Sequence, residues 1–222
     1  MSSRAPVLEF SRRAGLAALA AALAAPSAFA AGKPKIITML GDSITAGYGL
    51  AAADALPAQL QAALGRLGVS AVVRPSGVSG DTTADALGRV DFSVQGDTDL
   101  CLVALGGNDL LQGIDPKQTR ANLTAILVKL KARRIPAMLA GMQAPTAIGA
   151  GYARDYNAVF PAVARAEHAP LYPVLLAGVG GDRTLNQKDG IHPNPAGVKI
   201  IAARLAPAVA EALNTKAGAA RK

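Results

Sequence analysis

Short apolar runs rich in β-branched residues alternate along the chain with longer segments of helical period. The first run is Ile36-Ile37-Thr38-Met39-Leu40, and a helical pattern follows from Leu56 to Leu67. A second strand is predicted near 69–74 and leads through a polar loop, 75–83, into a short helix ending about Val90. The third strand, near 99–105, is an unbroken apolar run of the kind buried on both faces. Asp115-Pro116 opens a long helix over 116–133, with Leu123, Ile126, Leu127 and Leu130 recurring at helical spacing. Strands near 135–142 and 171–176, a helix over 152–167 and a closing helix over 195–213 complete the pattern. Strands alternating with helices are the signature of a parallel sheet, because each parallel connection crosses a face of the sheet and covers it. The pattern therefore predicts an α/β fold with a central parallel sheet of about five strands.

The first thirty residues read differently. Arg4, Arg12 and Arg13 precede an apolar stretch from Gly15 to Ala25, and Ala28-Phe29-Ala30 is a small-x-small cleavage site. This is the layout of an export signal, with an apolar run too short to span a bilayer. The paired arginines also fit the twin-arginine route. The expected product is periplasmic or secreted, with a single folded domain over 31–214 and a basic tail over 215–222. The formal net charge of +8 is spread along the chain apart from Lys129 to Arg134, at a predicted helix end where cations complement the dipole. No basic face interleaved with aromatics is present, so nucleic acid is not an expected partner and membrane contact is at most peripheral. Cys101 is the only cysteine, which excludes an intrachain disulfide and any multi-cysteine metal site. It lies inside the third strand, where a packing role is expected.

Chemistry concentrates where strands give way to helices. Gly41-Asp42-Ser43-Ile44-Thr45 follows the first strand. A serine at such a turn either caps the helix or presents its hydroxyl beside free N–H groups, as a nucleophile requires. Asp189-Gly190-Ile191-His192-Pro193 holds a carboxylate three residues from an imidazole, a spacing that can set the carboxylate on Nδ1 and leave Nε2 to take a serine proton. The other histidine, His168, stands at a helix end and is expected to cap it. Asn108, in Gly106-Gly107-Asn108-Asp109, can aim an amide at a developing oxyanion, and the Gly80 N–H is a further candidate donor; each alone also reads as a turn. In a doubly wound sheet all four loops gather at the carboxyl edge.

These four blocks, in this order, resemble the GDSL or SGNH hydrolases, and the likeness covers residues 35–212. The chain is most similar to the bacterial periplasmic branch of arylesterases, acyl-CoA thioesterases and lysophospholipases, with which it shares Gly151-Tyr152 and Tyr156-Asn157. The resemblance implies a flavodoxin-like three-layer α/β/α fold and a triad of Ser43, Asp189 and His192. It also implies an oxyanion hole made by the N–H groups of Ser43 and Gly80 and the side chain of Asn108. The implied activity is hydrolysis of a small-molecule or lipid ester through an acyl-serine, without cofactor or metal. Pro75-Ser76 departs from the Asn-Ala common in relatives.

Leu110, Leu111, Ile114 and the 144–148 loop with Pro145 form the candidate acyl lining, with packing of the next helix as the competing role. A carbohydrate O-acetylesterase is the alternative within the enzyme class. A non-catalytic phosphate- or flavin-binding module is the alternative outside it. That reading lacks a P-loop or a G-x-G-x-x-G after the first strand. No H-E-x-x-H suggests a zinc hydrolase, and Ser43 is not in a G-x-S-x-G elbow.

Overall fold

The structure, a computed structural model, describes residues 33–219, so the proposed export segment lies outside the described residues. Five strands form one parallel sheet: β1 (Lys35–Gly41), β2 (Ala71–Gly77), β3 (Leu100–Ala104), β4 (Ala137–Ala140) and β5 (Leu171–Tyr172). Their order is β2-β1-β3-β4-β5. The chain thus leaves β1 toward one edge of the sheet and returns to its other side as β3. The carboxyl ends of β1 and β3 diverge there, which is where open α/β sheets make room for a site.

The helices are α1 (Ser43–Ala46), α2 (Leu56–Arg66), α3 (Thr83–Ser93), α4 (Gly107–Leu111), α5 (Pro116–Ala132), α6 (Ala150–Asn157), α7 (Val159–Glu167) and α8 (Pro195–Ala219). α2 packs on α8, while α3, α5 and α7 pack in sequence, giving the three-layer α/β/α arrangement. All of β3 is buried, as its unbroken apolar sequence predicts. Cys101 is fully buried within it, and burial pushes its thiol up to about 12, so it packs as an apolar residue. No helix among the described residues is long and apolar enough to cross a membrane.

Several boundaries move for identifiable reasons. β2 continues through Pro75, which pairs in register with Met39. Proline is tolerated there because β2 is an edge strand. The helix expected over 152–167 is two helices, since Pro161 has no N–H to offer the carbonyl of Asn157. β5 stops at Tyr172 because Pro173 cannot continue the ladder, and the chain turns away where a strand to 176 was expected. α8 runs to Ala219, past the predicted end at 213, and carries Pro207 within it. His168 caps α7 in the left-handed region, as its position suggested.

Candidate active site

Ser43 is the first residue of α1, and Asp42 caps that helix by accepting from the Ile44 N–H at 3.1 Å. The turn needs Gly41, because a Cβ there would stand 2.9 Å from the Ala104 carbonyl of the neighbouring strand. The tight turn brings the hydroxyl to the carboxyl edge of the sheet. There Ser43 Oγ lies 2.8 Å from Nε2 of His192, a partner 149 residues away in sequence.

The His192 loop is held from several sides. Asp189 Oδ2 lies 2.7 Å from His192 Nδ1, while its Oδ1 accepts from the backbone N–H groups of Ile191 at 2.9 Å and His192 at 3.0 Å. Chiefly through the bond from the imidazole, then through these backbone N–H groups, the Asp189 carboxyl is held down at about 2. A carboxylate at Nδ1 keeps a proton there, which leaves Nε2 as an acceptor facing the serine. Asn194 caps α8 by accepting from Ala196 and Gly197, and Pro195 opens the helix, as the sequence suggested.

Two residues that sequence reasoning did not single out join the serine and histidine loops. Gln187 donates its Nε2–H to the Tyr48 carbonyl at 2.8 Å, and its backbone N–H to the His192 carbonyl at 2.7 Å. The Tyr48 ring leans on the imidazole, with centroids 4.7 Å apart and planes at 37°. The contacts that join the two loops, Gln187 to Tyr48 and Tyr48 to His192, cross from one end of the domain to the other and had no local signal.

Asn108 sits in the first turn of α4, and its Nδ2 donates to the Asp81 carbonyl at 2.9 Å. The other hydrogen of this amide remains available beside Ser43, and both residues line the same cavity. Gly80 adopts φ of 92°, a conformation that favours glycine, and is exposed. Its N–H has no protein acceptor among the described residues. Asp109, beside Asn108, is fully buried and accepts from the Thr83 N–H and hydroxyl and from Thr119. That carboxylate pins α4, and so Asn108, to the start of α3. Asp42 is also buried, and loss of solvation pushes its carboxyl up to about 6.

Ser43, Asn108 and His192 open onto a cavity of about 710 Å³. Leu110, Leu111 and Pro145 line it, as do Ala144 and Thr146 of the predicted loop. Ile114 does not line it: the chain has turned at Gly113, and its carbonyl instead accepts from the Tyr152 hydroxyl at 2.9 Å. Gly80 also lies outside the lining and is exposed. The far wall was not anticipated and consists of Val174, Leu176, Ala177, Gly178, Gly180 and Gly181. The run Gly178-Val179-Gly180-Gly181 was its one signal in the sequence. Asn157 shapes the near wall by bonding both ways to the Ala144 backbone, at 2.7 and 3.1 Å.

Known proteins share this architecture. The family model described as "GDSL-like Lipase/Acylhydrolase family" matches residues 39–200. Esterase TesA of Pseudomonas aeruginosa is 37% identical over 158 residues, covering 71% of this chain and 79% of that protein. Thioesterase 1/protease 1/lysophospholipase L1 of Escherichia coli K12 is 35% identical over 167 residues, covering 75% and 79%. The crystal structure of AlinE4, an SGNH-hydrolase family esterase, superposes with a TM-score of 0.68 at 43% identity, covering 82% of this chain and 98% of that one. With the match spanning most of the domain, the chain belongs to the GDSL-like lipase/acylhydrolase family and is a serine carboxylic ester hydrolase of the SGNH type.

Proposed function

We propose that Ser43 is the nucleophile, His192 the general base and Asp189 the group that orients the imidazole and stabilises its protonated form. The observation that carries this reading is the chain of short contacts from Asp189 through His192 to Ser43, at 2.7 and 2.8 Å. His192 Nε2 takes the Ser43 proton as Oγ attacks the acyl carbonyl carbon. The developing oxyanion is met by the N–H groups of Ser43 and Gly80 and by the Asn108 amide. The imidazolium then gives its proton to the leaving oxygen or sulfur, releasing alcohol or thiol and leaving an acyl-serine. Water deprotonated by the same nitrogen cleaves that ester and frees the acid.

The lining supports an acyl or aryl ester over an acetylated sugar. Leu110, Leu111, Met142, Val174, Leu176 and Ile191 offer an apolar surface to a hydrocarbon chain, and of the polar side chains beside them Asn157 is already bonded to the Ala144 backbone. We also infer that residues 1–30 direct export and are removed, placing the enzyme in the periplasm. The support is the paired arginines, the short apolar run and the small-residue cleavage site. Replacing Ser43 or His192 by Ala should each lower kcat by on the order of 10⁴-fold or more, with little further loss in the double variant because the pair acts as a unit. Retained turnover in folded Ser43→Ala protein would end the reading. A p-nitrophenyl ester series from acetate to palmitate, set beside acyl-CoA, lysophospholipid and acetylated sugar, tests the substrate class.

A further inference from the structure

Arg89 lies in α3, outside every residue considered above, yet its guanidinium reaches three segments around the site. Nε donates to Asp81 Oδ2 at 2.6 Å, Nη2 to the Gly41 carbonyl at 2.9 Å and Nη1 to the Ser76 carbonyl at 3.1 Å. Nη1 also meets the hydroxyls of Ser76 at 3.3 Å and Ser93 at 2.9 Å. The ion pair is largely shielded, with the Arg89 side chain 20% and the Asp81 side chain 11% exposed.

What these acceptors have in common is their place in the chain. Gly41 is the last residue of β1 and stands two before Ser43. Asp81 follows Gly80 directly, and its carbonyl holds Asn108. The Gly41 carbonyl also accepts from the Val78 N–H at 3.1 Å, at the start of the Gly80 loop. One planar, multiply donating cation therefore ties together the segments that carry Ser43, Gly80 and Asn108. A carbonyl, a carboxylate and a second carbonyl at fixed angles suit the guanidinium fork and do not suit a lysine ammonium, which can satisfy one or two of them. Solvent exposure alone would not select such a partner set.

We propose that Arg89 is a positioning residue for the oxyanion hole, setting the spacing of its three donors through Gly41 and Asp81 without touching substrate. This inference rests on the proposed roles of Ser43, Gly80 and Asn108. Preorganised donors act only if they are already in place when charge develops, and a misplacement of about 1 Å is enough to cost on the order of 10²-fold in rate. Loss of the fork therefore appears in the transition state and leaves ground-state binding of the acyl chain unchanged.

The test compares Arg89→Lys, Arg89→Gln and Asn108→Ala, singly and with Arg89→Lys combined with Asn108→Ala. Arg74→Ala is the control, because it removes a solvent-facing ion pair between Arg74 on β2 and Asp97 in the loop after α3. Each protein is assayed for kcat and KM on a p-nitrophenyl ester, for inhibition by phenylboronic acid, which adds to the serine as a tetrahedral oxyanion mimic, and for its urea midpoint. Arg89→Lys is expected to lower kcat about 10- to 100-fold with KM within about twofold, and to weaken phenylboronic acid by a similar factor. The double variant should lose less than the product of the single losses, because both changes act on one hole. Arg74→Ala should keep its kcat. Wild-type kcat in folded Arg89→Lys and Arg89→Gln would overturn the inference. So would a kcat loss that leaves boronate inhibition unchanged, or failure of both Arg89 variants to fold, which would assign the arginine to stability. Normal turnover in Asn108→Ala would instead overturn the reading of the hole itself, whatever Arg89 does.

Discussion

Replacing Asp42 by Asn should flatten the dependence of folding stability on pH across the acid-to-neutral range. The Asp42 carboxyl is 2% exposed and is pushed from 3.8 up to about 6, first by burial and then by Asp81, against the Ile44 N–H and the attraction of His192. His192, Asp81 and Tyr156 are the titratable groups that face it. The folded value lies above the unfolded one, so between them the folded protein keeps a proton that the unfolded chain has released. Stability from this group is therefore greatest at low pH and falls as pH rises from about 4 to about 6. At 1.36 kcal/mol per unit, the loss reaches on the order of 3 kcal/mol by neutrality, with about half of it already incurred at pH 5. Asparagine keeps an oxygen for the Ile44 N–H and remains a good cap, so the variant should fold. Urea unfolding of both proteins at a series of pH values gives the comparison, with other titrating groups cancelling. The stability of the variant relative to wild type should rise by about 2 kcal/mol between pH 4 and 7. Parallel curves would refute the reasoning, because they would mean that the carboxylate ionises in place without penalty.

Asn108→Ala should lower kcat by about 10²–10³-fold with a much smaller change in KM, since it removes a donor to the oxyanion. Near-normal turnover with a large fall in melting temperature would reduce Asn108 to a tether for Asp81. Asp189 has the opposite pH signature to Asp42: its folded value is depressed to about 2, so the stability it contributes is present above 3.8 and is lost as pH falls between the two. Comparing acid unfolding of wild type and Asp189→Asn tests this, and an unchanged acid transition would refute it.

The order of the strands and of the longer helices was legible because parallel strands are continuously apolar and their helices carry a separate period, whereas the short helix α4 was read as a turn. Element ends were less so. Pro75 reads as a loop until β2 is known to lie at the sheet edge, and Pro161 splits a helix whose apolar pattern runs straight through it. Asp189 and His192 were legible because their contact spans three residues, and Ser43 because its glycine turn is local. Arg89, Gln187 and Tyr48 were not, since each acts through partners chosen by the fold, and an arginine within an amphipathic helix otherwise reads as solvated surface. The misplacement of Ile114 has the same origin, because its apolar side chain groups it with Leu110 and Leu111 but does not show the turn at Gly113 that carries it away.

The central claim is that Ser43, activated by His192, becomes acylated. The most direct measurement is reaction of the purified enzyme with a fluorophosphonate, followed by peptide mapping of the adduct alongside residual esterase activity. Phosphorus takes the serine oxygen and releases fluoride, so the adduct marks the nucleophile itself. Stoichiometric modification of the peptide bearing Ser43, in step with loss of activity, is the predicted result, with no labelling of Ser43→Ala and far slower labelling of His192→Ala. Inactivation with the adduct on another residue, or esterase turnover surviving full modification of Ser43, would contradict it.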